Sequence, residues 1–233
     1  MFFLNFPRWP ARKPKFIADF FSYLHWKATR FQEERLDEKF GIETSAAETR
    51  YLDDVMSPNR EFAVPYEAIQ LDVFHDMISS VRRIVGSVSD YHFIDLGSGK
   101  GRALVYAAES GFKRCTGVEF SAVLHTVAQT NVEAYRQATQ MDCRFCLLCM
   151  DAVDFELPDD DIVLFLYNPF GSEVMQPIVA RVREFVENSD RDLFLLYRNP
   201  TCTDDLRASG LTRLESGESF EIYRALRRSR RTA

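Results

Sequence analysis

The sequence has no long apolar run. Its opening MFFLNF is cut short by Pro7, Pro10 and Pro14, whereas a secretory signal needs about 7 to 15 uninterrupted apolar residues and a membrane span about 20. Neither is expected. Histidine is scarce, with four in the chain. No pair of them has metal-ligand spacing and none lies near a candidate serine or cysteine nucleophile, so a metal centre or a hydrolytic site has little to build on. Five cysteines, an odd number without an export signal, imply a reducing cytoplasm. Positive charge is short where a nucleic-acid platform would need it. Residues 41–223 carry thirty acids against sixteen bases, and the surplus of bases sits in residues 1–40 and 224–233; nucleic acid is therefore not expected as a partner. What remains is a chain of 233 residues, 46% hydrophobic, ample for one large α/β domain with a complete core.

The most informative stretch is FIDLGSGKG, residues 93–101. An apolar run stops at Asp95 and enters three glycines at alternate positions, Gly97, Gly99 and Gly101. Glycine is needed where the chain takes positive φ or where a ligand presses on bare backbone. The order strand, turn, helix fits a nucleotide-type cofactor site. A phosphate-cradling loop would need glycine at position 94 and Ser or Thr at 101, where Ile94 and Gly101 stand. A dinucleotide fingerprint would put its third glycine at 102, where Arg102 stands, and the nicotinamide reading is weaker for it. A second acid, Glu119, closes the short strand CTGVE at 115–119, placed to accept hydrogen bonds from ribose hydroxyls. Lys100 and Arg102 flank the last glycine, where cations oppose the helix dipole. They are expected to face solvent or to pair with an acid.

The rest of the chain alternates. Helical periodicity over 122–139 leads to RFCLLCM at 144–150, which reads as a buried strand, and Asp151 closes it. Cys143, Cys146 and Cys149 form C-x-x-C-x-x-C, but residues three apart on a strand face opposite sides and cannot converge on one ion. They are expected as core thiols, with Cys115 and Cys202 lacking partners. A strand IVLFLY at 162–167, an amphipathic helix at 175–186, a strand LFLLY at 193–197, a short helix near 204–208 and a closing pair near 211–215 and 220–226 follow. This order predicts an α/β fold: a doubly wound, mostly parallel seven-stranded sheet with an antiparallel edge hairpin, plus an N-terminal helical extension. The expected division is a basic, aromatic N-terminal segment with an amphipathic helix (1–61), a cofactor-binding domain (62–226) and an Arg-rich tail (227–233). In the first part, Ile17, Phe20, Phe21, Leu24, Ala28 and Phe31 form a stripe that packs on the domain or across a homodimer; a membrane surface is the lesser alternative.

The stretch D-L-G-S-G-K-G resembles the first motif of the class I S-adenosylmethionine (SAM)-dependent methyltransferases, and the element order from about Phe62 to Leu226 resembles their whole domain. The resemblance implies SAM as cofactor. Asp95, with Gly97, Ser98, Gly99 and Gly101, would hold the methionine part; Glu119, followed by Phe120, the ribose; Asp151, followed by Ala152, the adenine amino group. Tyr66, in Pro65-Tyr66-Glu67, would close over the methionine end. Asn168-Pro169-Phe170-Gly171 is similar to the (Asp/Asn)-Pro-Pro-(Tyr/Phe) motif of amino-directed methyltransferases without its second proline, a departure that weighs against base methylation. It is also similar to the asparagine-containing loop of the Dot1-type histone-lysine methyltransferases, which share D-L-G-S-G and G-V-E wording. Asn168, Pro169 and Phe170 are accordingly the expected catalytic residues.

The expected activity is methyl transfer by in-line displacement to a nucleophile, preferably a nitrogen such as that of a protein side chain, since Asn168 can offer a side-chain carbonyl to an amine hydrogen. Two alternatives stand beside it. One is a small-molecule N- or O-methyltransferase with the N-terminal helix as a lid. The other is a nonenzymatic module that binds a nucleoside cofactor and docks partners through its aromatic N-terminus and Arg-rich tail.

Overall fold

The computed structural model describes residues 35–45, 66–167, 171–206 and 209–225. Strands β1 (His92–Leu96), β2 (Arg114–Glu119), β3 (Arg144–Cys149), β4 (Ile162–Tyr167), β5 (Leu193–Arg198), β6 (Thr212–Ser216) and β7 (Phe220–Ala225) form one sheet in the order β3-β2-β1-β4-β5-β7-β6. The first five run parallel. β7 lies antiparallel between β5 and β6, so the closing pair forms the antiparallel edge that the sequence predicts. Helices α1 (Leu71–Val85), α2 (Arg102–Glu109), α3 (Ala122–Thr139), α4 (Ser172–Asn188) and α5 (Thr203–Leu206) connect the strands, with a 3-10 turn at Ala152–Asp154. Among the described residues no helix is long and apolar enough to cross a membrane.

Period-two alternation decides which helix covers which face. Phe93 of β1, Val163 and Phe165 of β4, and Phe194 and Leu196 of β5 pack with Phe74 and Met77 of α1 and Leu104 and Val105 of α2. The residues between them, Ile94, Leu96, Leu164, Leu166, Leu193 and Leu195, pack with Val174, Ile178 and Val182 of α4. Covered on both faces, β4 and β5 are nearly continuous apolar runs, the usual result of burying a parallel strand between helices. The strand order reverses between β1 and β4. In a doubly wound sheet that switch point opens a crevice beyond the carboxyl ends of the strands.

Two expectations fail at β3. Its residues are exposed or half-buried, none of them buried, and Cys146 and Cys149 are exposed, not core thiols. Among the described residues β3 is an edge strand bonded only to β2, and no second strand there buries it. Cys143 is buried just before the strand, and its thiol lies 3.6 Å from that of Cys115, giving Cys115 the partner that the sequence does not reveal. No cluster of His, Cys, Asp or Glu suited to a metal ion occurs among the described residues.

The apolar stripe at Ile17–Phe31 lies outside the described residues. Residues 35–40 are helical, and Phe40 meets Tyr135 of α3 edge-on at 5.0 Å between ring centroids. Phe40 and Ile42 join the same core cluster as α1 and α2. α1 starts at Leu71. Gln70 is extended at φ −72°, ψ 139°, and residues 66–70 thereby pass across the crevice before the helix begins.

Candidate functional site

β1 ends at Leu96 and the chain turns at once through Gly97, Gly99 and Gly101, at φ 85°, 52° and 84°. This is left-handed backbone that only glycine adopts without strain. The amides of Gly97 and Ser98 donate to Val118 O at 2.8 and 3.0 Å, and Gly101 N–H donates to Ser98 O at 2.8 Å. The turn is thus bonded to β2 and delivers Gly101 as the residue before α2. Gly117, which the sequence reading passes over, matters equally. A Cβ there would stand 2.7 Å from Leu104 Cδ1 and 2.8 Å from Ser98 Oγ, so the close approach of α2 and the turn to the sheet occurs over Gly117, with no glycine needed at position 102. A lone glycine inside an apolar strand is the sequence signal for such an approach.

The three expected acids stand in order at the ends of β1, β2 and β3. Asp95 is 3% exposed. Burial raises its carboxyl well above the ordinary carboxylate range, and the charge of Glu119 raises it further. Glu119 is also buried; it accepts from Gly99 N–H at 2.8 Å through one oxygen and from Ser121 N–H at 2.9 Å through the other. Asp151 is half-buried and accepts from Val153 N–H at 3.1 Å. Phe120 is half-buried and Ala152 is buried. Two buried carboxylates this close already oppose each other's ionisation, so a pyrophosphate would add repulsion whereas a sulfonium nucleoside would relieve it. The donor set fits a cationic cofactor with a ribose diol.

Tyr66 lies across the turn. A Cβ on Gly99 would be 2.3 Å from two of its ring carbons, and its hydroxyl donates to Thr44 O at 2.6 Å. Of the two expectations for the cations after the turn, pairing with an acid is the one met: Lys100 and Arg102 are each 1% exposed. Lys100 Nζ donates to Glu43 at 2.6 Å. Arg102 Nε donates to Thr44 Oγ1 at 2.7 Å, and its Nη2 lies 3.6 Å from Asp37 Oδ2. Asp37 in turn accepts from the backbone and hydroxyl of both Thr44 and Ser45. Residues 37–45 form a strap over the start of α2, with both cations turned into it. The signal in the sequence was the pair of acids, Asp37 and Glu43, in a segment that otherwise reads as an appendage.

On the far side of the switch point, Leu166 of β4 pairs with Leu96 of β1, so Tyr167 stands beside the first glycine of the turn. The expected catalytic residues Asn168, Pro169 and Phe170 lie outside the described residues; the chain is described again from Gly171, which opens α4. Burial raises the Tyr167 phenol, and the Glu67 carboxylate adds to the effect. Arg198, paired with Tyr167 across β4 and β5, stacks its guanidinium 5.4 Å from the Tyr167 ring centroid and donates to Gln70 at 3.2 Å. Asn199 follows at φ 48°, a conformation uncommon outside glycine. The sequence reading names neither Tyr167 nor Arg198, because their adjacency depends on the β4–β5 register.

Residues 36–155 match the family described as Histone methylation protein DOT1. No curated protein matches. Among solved structures, the chain is similar to a putative RNA methyltransferase from Pyrococcus horikoshii, with 15% identity and a TM-score of 0.50 over 83% of this chain and 97% of that one. It is also similar to magnesium protoporphyrin IX methyltransferase from Synechocystis PCC 6803 with bound SAM, at 16% identity and TM-score 0.48 over 76% and 88% of the two chains. A third is an RNA methyltransferase from Salinibacter ruber in complex with S-adenosyl-L-homocysteine, at 21% identity and TM-score 0.47 over 69% and 92%. At these identities the likeness is one of fold.

Proposed function

The chain belongs to the DOT1 family and is a SAM-dependent methyltransferase with a Rossmann-like fold, and from that premise we propose that it transfers the methyl group to a nitrogen acceptor, with a protein side chain preferred. The observation that carries the reading is the meeting of two features at the switch point. The acids Asp95 and Glu119 flank the glycine turn on one side, and β4 ends beside that turn immediately before Asn168-Pro169-Phe170.

SAM, when bound, supplies an activated methyl on a sulfonium, so the protein's work is alignment and exclusion of water. Glu119 provides the negative charge that favours a cation, and a sulfonium beside Asp95 would favour ionisation of that buried carboxyl as well. Glu119, oriented by the amides of Gly99 and Ser121, presents its carboxylate toward the ribose position, and Asp151 stands at the adenine end. Tyr66 closes the methionine end from above Gly99. Asn168 accepts a hydrogen bond from the acceptor amine through its side-chain carbonyl. Its backbone carbonyl would offer a second acceptor. Two such bonds hold a neutral nitrogen with its lone pair directed at the methyl group, and the proton displaced afterwards leaves to water.

The test is transfer from methyl-labelled SAM to cell extract separated into protein, nucleic acid and small molecules. Label in the protein fraction that disappears with Asn168→Ala, while SAM affinity stays close to wild type, supports the proposal. Label confined to nucleic acid, or full activity in the variant, refutes it.

A further inference from the structure

A site for a sulfonium has two buried cations at its edge. Lys100 directly follows Gly99 and lies within 5.9 Å of the Tyr66 ring centroid through its ammonium group, yet its side chain is 1% exposed. A cation there would repel a positively charged ligand and favour an uncharged one unless something cancels it. The strap supplies the counter-charge. Glu43 meets Lys100 Nζ at 2.6 Å, and its backbone is fixed from both sides by Asn131, which accepts from Glu43 N–H at 2.8 Å and donates to Glu43 O at 2.9 Å. The same Asn131 amide donates to Lys100 O at 2.9 Å. One side chain of α3 therefore clamps the backbones of Glu43 and Lys100 together. That arrangement sets the carboxylate on the ammonium and not merely near it.

We propose that Glu43 is a positioning residue of the cofactor site: by cancelling the charge of Lys100 it leaves Asp95 and Glu119 to face the cofactor, and so sets the preference for cationic SAM over its uncharged thioether product, S-adenosylhomocysteine. The proposal rests on the SAM reading above. It concerns Glu43 and not Asp37, because the two acids differ in what else they do. Asp37 accepts four bonds from Thr44 and Ser45 and organises the strap. The Glu43 side chain is 71% exposed and its carboxylate meets the lysine, so it can be neutralised with the strap in place.

The experiment is calorimetric titration of SAM and of S-adenosylhomocysteine into the full-length protein and its variants. Glu43→Gln keeps the shape and removes the charge; the affinity ratio of SAM to product should fall roughly three- to tenfold, the size of one unit charge acting across a partly solvated separation. The fall should shrink as salt is raised. Glu43→Asp should restore most of the ratio. Lys100→Met should move the ratio in the opposite direction, and the double variant Glu43→Gln/Lys100→Met should return it toward wild type. A purely structural role would lower both affinities together, and equal losses or no change in ratio would overturn the proposal. Binding of neither ligand by the wild-type protein would instead defeat the SAM reading, and this inference with it.

Discussion

Replacing Gly99 by alanine probes the turn, the strap and the cofactor site at once. Gly99 sits at φ 52°, and an L-residue in left-handed backbone costs about 1 to 2 kcal/mol. The added Cβ would also stand 2.3 Å from Cδ2 and Cε2 of Tyr66. These atoms lie on the flank of the ring, so the whole ring must swing away and give up the hydroxyl bond to Thr44 O, now 2.6 Å long. A net loss of about 1 kcal/mol is typical for such a bond. The sum is about 2 to 3 kcal/mol, which for a chain of this size lowers the melting temperature by about 4 to 12 °C. The assay is a double-mutant cycle in calorimetric melts. In a Tyr66→Ala background the same substitution should cost only its backbone share, leaving a coupling of about 1 kcal/mol. Equal costs in both backgrounds would show that Tyr66 does not lie on the turn, and an unchanged melting temperature would refute the left-handed geometry itself.

Further outcomes follow from other parts of the molecule. Asp95 has a folded carboxyl titrating above its unfolded one, so the native state holds a proton that the unfolded chain has released, and stability falls as pH rises from the ordinary carboxylate range through the folded value. Asp95→Asn should therefore gain melting temperature over wild type across that rise while binding SAM more weakly; a difference independent of pH would contradict the burial. Asp37→Ala strips the strap of its central acceptor and leaves Arg102 without that carboxylate, and urea unfolding should show a loss of about 3 kcal/mol, against well under 1 kcal/mol if the pair were an ordinary surface one. Native protein should give two fast thiols with a thiol-specific reagent, Cys146 and Cys149, and three more, Cys115, Cys143 and Cys202, only on unfolding.

Much of the fold is legible in the chain because its strands are apolar runs bounded by glycines and acids, and its helices carry stripes of regular period. The glycine turn and the acids Asp95, Glu119 and Asp151 are readable for a related reason: each is fixed by its place at a strand end, and strand ends can be located in sequence. What depends on long-range pairing is not readable. The exposure of Cys146 and Cys149 follows from β3 being an edge, a property of strand order and not of the segment RFCLLCM. The burial of Lys100 and Arg102 follows from Asp37 and Glu43 folding back over α2, more than fifty residues away along the chain. Tyr167 and Arg198 become neighbours only through the parallel register of β4 with β5. Local chemistry marks the glycine turn and its acids, and tertiary pairing builds the rest around them.

The central claim is that the turn at 97–101 holds SAM. Titrating the purified full-length protein with SAM and, separately, with NAD tests it most directly. The account predicts saturable binding of one SAM per chain, weakened by Glu119→Gln, and no binding of NAD. Binding of NAD without SAM would contradict it.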